Sequence, residues 1–276
     1  MTAISVLAIV QTQADKVVVS KLLPVADLGL YGFASSTVGR ATLMTSAISQ
    51  AAFPSLSKLF KTGHRAELLS QYRKLHDLIL FGTLPIFAGI VFAAMPAYTY
   101  LFSANAAHRL LLPTAFLCVG YLMNAALTMP YLISISAGMP HLASRLNLVA
   151  LFVTLPVTIA LIYWLGLVGA GLSWAFYNTF AIGYFVPRVC RACLEMRPSA
   201  WFVGFFRVLV VGGLAYGLTW VLVARPGSYS VQSLAIAYVI GSAAYLLAAY
   251  ALIGPELRET VNGLPDKVVR GRASST

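Results

Sequence analysis

Repeated runs of about 20 apolar residues, joined by short polar connections, constrain this chain more than any other feature. Hydrocarbon offers no water to unpaired backbone N–H and C=O groups, so a run of that length is stable there only as a helix. We read about eight spans, approximately Ala3–Leu23, Gly29–Leu59, Leu75–Phe102, Leu111–Ser136, Ala143–Leu165, Gly169–Val189, Trp201–Ala224 and Val231–Ile253. The expected fold class is all-α, a polytopic membrane helix bundle over residues 1–254 followed by a basic tail over residues 255–276. Composition agrees, because 10% of the residues are charged where soluble domains carry about one quarter. The second and third spans exceed one crossing and are expected to project beyond the bilayer. Pro85, Pro96, Pro130 and Pro156 fall inside spans and are expected to bend them.

Net charge is +11, yet the basic residues lie between apolar spans rather than in a patch suited to nucleic acid. One set of connections holds Lys58, Lys61, Arg65, Arg73 and Lys74, then Arg145, then Arg188, Arg191 and Arg197, then Arg258, Lys267, Arg270 and Arg272. The other set holds Arg109 and Arg225, with Lys21 at an edge. The positive-inside rule places the first set, and both chain ends, in the cytoplasm. Lys58 to His76 then reads as an interfacial amphipathic helix or a helix extension beside anionic headgroups. Tyr98, Tyr100, Tyr163, Trp164, Trp174, Trp201, Trp220 and Tyr229 fall where an interfacial aromatic belt is expected.

Enzyme chemistry finds little to work with. Cys118, Cys190 and Cys193 cannot build a disulfide framework, and the single Cys190-x-x-Cys193 falls in a predicted cytoplasmic segment. His64, His76, His108 and His141 lie in or beside predicted loops, without the spacing of a metal site. No glycine-rich phosphate loop precedes a helix. The first residues, MTAISVLAIV, lack a basic leader and a cleavage site. No enzyme activity, metal or cofactor is expected.

Against this apolar background, residues 11–61 stand out. Asp15 and Arg40 sit inside spans, where an ionised side chain costs at least about 2.5–3.5 kcal/mol and normally faces a bundle interior or a watery cavity. At 3.6 residues per turn, one stripe reads Ser36, Arg40, Leu43, Ala47, Gln50 and Pro54. The next reads Ser35, Gly39, Thr42, Ser46, Ser49 and Phe53, while the opposite side carries Ala34, Val38, Ala41, Thr45, Ile48 and Ala52. A membrane helix with a broad polar face lines something other than lipid, and passage of polar cargo is the first expectation. Small hydroxyl residues that let helices pack closely are the competing explanation.

Asp15 lies roughly 11 Å below the outer end of the first span and Arg40 roughly 16 Å below that of the second, at 1.5 Å per residue. The two helices are antiparallel neighbours, so an Asp15–Arg40 ion pair is sterically possible. It would serve structure, or else leave the Arg40 fork to bind phosphate oxygens. Gln11 and Gln50 extend the polar track. Asn124, with Thr128 one turn on, lines the cavity from the fourth span or glues helices together. Arg207 fits a lipid headgroup, and Asp77 is expected to pair with Arg73. The candidate path residues are Gln11, Asp15, Arg40, Ser46, Gln50 and Asn124.

An Asp in a first helix, a short outer loop into Gly29-x-Tyr31, and a long helix ending Phe53-Pro-x-Leu-Ser-Lys58 follow one another here. With Leu84-Pro85 and Met95-Pro96 in the next helix, this order resembles the oligosaccharide flippase or polysaccharide transporter family, through about Phe102. That family belongs to the superfamily of multidrug, oligosaccharidyl-lipid and polysaccharide exporters. The resemblance implies the C-terminal lobe of a two-lobe exporter that moves undecaprenyl-pyrophosphate-linked glycans by alternating access in a bacterial inner membrane. It also implies lipid-linked oligosaccharide, membrane lipids and a missing N-terminal lobe or second half-transporter as partners, with the first bundle absent from this chain. The alternatives are a drug or metabolite antiporter of the same superfamily and a non-transporting fragment or scaffold.

Overall fold

The computed structural model describes residues 13–223, 230–255 and 257–258. Helix α1 covers residues 13–22, followed by α2 (Val25–Gly39), α3 (Thr42–Thr62), α4 (Arg65–Leu101) and α5 (Ala104–Ser136). Then come α6 (His141–Leu165), α7 (Leu167–Val189) with a π-helical extension over Cys190–Leu194, α8 (Pro198–Val223) and α9 (Val231–Leu252). There is no strand among the described residues. The fold is an all-α polytopic bundle, and α4, α5, α6, α8 and α9 are each long and apolar enough to cross a membrane.

The second expected span takes a different form. Its helix begins earlier, just after Pro24, and is divided into α2 and α3 at Arg40 and Ala41. Both junction residues keep right-handed helical angles, φ −62° and ψ −25° at Arg40, φ −61° and ψ −21° at Ala41. The hydrogen bonds tighten there, Ala41 N donating to Val38 O at 3.1 Å and Leu43 N to Arg40 O at 3.1 Å. A hydroxyl supplies the cause. Thr42 Oγ1 donates to Gly39 O at 2.7 Å, competing with the Leu43 amide, which turns to Arg40 O instead. The stripes nevertheless run on across the junction.

Helix α4, at 37 residues or about 55 Å, outruns the roughly 30 Å hydrocarbon layer. Lys58 to His76 is therefore a helix extension on both sides of a tight turn. Gly63 (φ 73°) closes α3 by the paired bonds His64 N to Leu59 O and Gly63 N to Phe60 O. Pro85 leaves the Phe81 carbonyl without its helical donor. Tyr245 of α9 donates to that carbonyl at 3.2 Å, so α4 continues past the proline.

Helix α5 is the centre, packed against α4, α7, α3 and α2. Small residues bring α5 and α7 close: a Cβ on Gly120 would sit 2.6 Å from the Trp174 ring, and one on Gly171 would sit 2.5 Å from Pro113 O. Helix α7 lies against α5 on one side and α6 on the other. Enclosed by protein, it buries Ser173 and Asn178 and need not be as apolar as a lipid-facing span. The α8–α9 pair packs on α4.

Candidate functional site

Asp15 is buried beneath α2, where Tyr31 Oη donates to its Oδ2 at 2.5 Å. The Lys16 amide donates to Oδ1 at 2.8 Å. The same tyrosine oxygen lies 3.2 Å from Ala170 O, so one phenol joins α1, α2 and α7. The geometry corrects the expected ion pair, because Asp15 and Arg40 form none. Arg40 follows Tyr31 by nine residues, which at 100° per residue turns it to the opposite side of the helix. Tyr31 was in the quoted motif, but its role as the carboxylate's partner was missed.

Arg40 is exposed, as are Ser36, Leu43, Ala47, Gln50 and Pro54 of the same stripe. On the opposite side Ala34, Val38, Thr45 and Ala52 are buried against the bundle. The Arg40 stripe thus points out of the bundle, whereas in the neighbouring stripe Ser35 is buried and Gly39, Thr42 and Ser49 are half-buried. Ser46 and Gln50 are both exposed. Among the described residues Arg40 makes no ion pair. Gln11 lies outside the described residues.

Asn124 donates from Nδ2 to Asn178 Oδ1 at 3.1 Å, and Asn178 Nδ2 donates to Trp174 O at 2.9 Å. The residue is thus an interhelical tie between α5 and α7, and it also borders a cavity between them and α6.

Several other sequence expectations change. His76 is not beside a loop but buried within α4, stacked on Tyr72 at 5.6 Å with Trp201 at 5.5 Å. Tyr98, Trp174 and Trp201 leave the aromatic belt for the interior, whereas Tyr100, Tyr163 and Trp164 are exposed near helix ends. Tyr229 lies outside the described residues. The expected pairing of Asp77 with Arg73 is left standing, and Asp77 also accepts from the Gly254 amide at 3.1 Å, tying the end of α9 to α4. Arg207 is exposed on α8. Cys190 and Cys193 are buried, and burial pushes the Cys190 thiol up to about 11, far from a reactive thiolate. Among the described residues no group of His, Cys, Asp and Glu gathers as a metal site.

Two ion pairs had no sequence signal beyond isolated charges. Arg109 of α5 meets buried Asp27 in the first turn of α2 at 2.6 Å. Arg65 at the start of α4 meets Glu195 at 2.6 Å, past the π-helical turn.

Residues 1–106 match the polysaccharide biosynthesis protein family. The match spans α1 to α4 and the start of α5, so it contains Asp15, Tyr31, Arg40, Ser46 and Gln50. It ends before Asn124. The likeness to polysaccharide transporters drawn from the quoted motifs is supported over the same stretch. No curated protein and no solved structure matches the chain. The helices are those of a multi-pass membrane protein, and over residues 1–106 the chain is similar to polysaccharide biosynthesis proteins.

Proposed function

We propose that the chain forms one lobe of a transporter that flips lipid-linked oligosaccharide, an undecaprenyl-pyrophosphate glycan, across a bacterial inner membrane. One observation carries this reading: the exposed Arg40 guanidinium shares the outer face of α2 and α3 with the exposed polar side chains of Ser36, Ser46 and Gln50, interspersed with Leu43, Ala47 and Pro54. A fixed fork of donors there offsets the cost of bringing a pyrophosphate into a low-dielectric region and orients it by paired hydrogen bonds. Exposed polar groups facing lipid are costly, so a second body covers this stripe, either another lobe or a second copy. Alternating access between the two bodies supplies the movement.

The test is export by the full-length transporter. Arg40→Ala abolishes glycan export while the protein remains folded and inserted, and Arg40→Lys retains part of it because an ammonium keeps the charge without the planar fork. Wild-type export by a folded Arg40→Ala variant overturns the reading. Orientation follows the basic connections, with Gly63 cytoplasmic and Asn105 outside. An impermeant maleimide applied to intact cells should label Asn105→Cys and spare Gly63→Cys.

A second reading has its own observation. Asp15 is a buried carboxylate whose side-chain partner is a tyrosine rather than a cation, the arrangement expected of a coupling site in a multidrug or metabolite antiporter. Under that reading Asp15→Asn abolishes gradient-driven transport and Arg40→Ala leaves it. Under the flippase reading the ranking is reversed.

A further inference from the structure

Helices α5, α6 and α7 enclose a second feature, a cavity of about 280 Å³. This is slightly smaller than the roughly 300–1,000 Å³ of ordinary small-ligand sites. It exists because α6 packs on α7 and hardly touches α5, leaving the two arms of the α5–α6 hairpin apart. Asn124, Thr128 and Tyr131 line it from α5, Asn147 from α6 and Tyr177 from α7, with apolar side chains between them.

Asn124 and Thr128 are partly committed, to Asn178 Oδ1 and to Asn124 O. The Asn147 carboxamide and the Tyr131 and Tyr177 hydroxyls have no hydrogen bond among the described residues. Polar groups at membrane depth cost free energy when unpaired, so this wall is suited to an occupant that supplies hydrogen bonds. No charged side chain lines the cavity, which argues against phosphate and for a neutral ligand. A carboxamide donates and accepts side by side, matching adjacent hydroxyls, and a tyrosine adds an apolar ring face beside its polar tip. That combination fits the hydroxyl and C–H surfaces of a sugar ring.

Packed aromatic rings lie between the cavity and α2. Tyr121, less than a turn before Asn124, approaches α2 so closely that a Cβ on Gly39 would lie 3.1 Å from its Oη. Its ring is 5.1 Å from Trp174, which stacks on Tyr177 at 5.4 Å. Gly39 precedes Arg40 directly.

We infer that this cavity is a sugar subsite, holding a neutral ring of the glycan whose pyrophosphate meets Arg40. The inference rests on the lipid-linked glycan reading above. Its test is binding to full-length transporter in nanodiscs, using two probes: sugar-free undecaprenyl pyrophosphate, and its glycan-bearing form from export-blocked cells. Wild type should bind the glycan-bearing lipid about tenfold more tightly, the worth of one or two net hydrogen bonds. Asn147→Leu and Tyr131→Phe should each shrink that preference about threefold or more, with affinity for the sugar-free lipid unchanged. Arg40→Ala should weaken both lipids alike.

A wild-type preference near one, or a preference untouched in both cavity variants, overturns the subsite while leaving the flippase reading in place. Failure of wild type to bind either lipid removes the flippase reading and the subsite with it. Tyr131 is half exposed and makes no side-chain hydrogen bond among the described residues, so Tyr131→Phe decides the matter if Asn147→Leu does not fold.

Discussion

The face of α2 and α3 and the face of α8 and α9 are both exposed, yet the first mixes polar with apolar side chains such as Leu43, where the second is almost wholly apolar. The first shows Ser36, Arg40, Ser46 and Gln50. The second shows Val203, Phe206, Val210, Leu214, Leu218 and Leu222 along α8, and Val239, Ile240, Leu246 and Leu247 along α9. Apart from Arg207, helix α8 offers a surface that lipid tails satisfy without help. Helix α3 offers one that they do not. Under the proposed function, exposure carries two meanings, lipid contact on one flank and a polar path or partner on the other, and side-chain chemistry separates them.

The strongest way to break this comparison is to place the same charge on each face. Leu214 is 56% exposed in the middle part of α8, so Leu214→Asp should cost about 2.5–3.5 kcal/mol of insertion and sharply reduce membrane-inserted protein. Gln50→Asp should change inserted yield little, within about 0.5 kcal/mol, because that position already borders polar surroundings. Equal losses at the two positions would mean that both flanks face lipid.

A smaller effect tests how the polar face is held. Tyr31→Phe leaves the buried Asp15 carboxylate without its closest donor, a loss of about 1–3 kcal/mol that should lower the melting temperature in detergent. Combining it with Asp15→Asn should recover part of the loss, since the charge needing that donor has gone. Additive destabilisation would show that the two side chains do not act as a pair.

The smallest expected change lies on the apolar flank. Tyr245→Phe removes the donor to the Phe81 carbonyl and should cost about 1 kcal/mol, the lower end for a stranded neutral acceptor, read as slightly earlier thermal unfolding. Export should be unaltered.

Apolar runs and helical periodicity made the bundle and the polar stripe readable before any coordinates, because both depend on local composition. Interruption of the stripe at Arg40 and Ala41 was not readable. It depends on which carbonyl the Thr42 hydroxyl takes, and apolar periodicity is blind to that. The Asp15 partner was missed for a related reason. Two opposite charges on neighbouring helices suggest an ion pair, but facing direction decides, and Tyr31 rather than Arg40 turns inward. His76 was misplaced because α4 extends well beyond the apolar run that marks it, carrying a residue assigned to a loop edge into the packed base of the bundle. For Asn124 the interhelical reading holds, and the cavity beside it lies between α5, α6 and α7 rather than along the polar stripe.

The hydrogen bond from Tyr245 to the Phe81 carbonyl also bears on how such a sequence can drift. A proline at position 85 removes one donor from α4, and a phenol 160 residues later in the chain returns it. An ordinary residue at position 85 would restore the amide and make the phenol dispensable, whereas loss of the phenol alone would strand the carbonyl. Pro85 and Tyr245 therefore behave as one inherited character: among relatives, the tyrosine should be free to vary only where the proline has already gone.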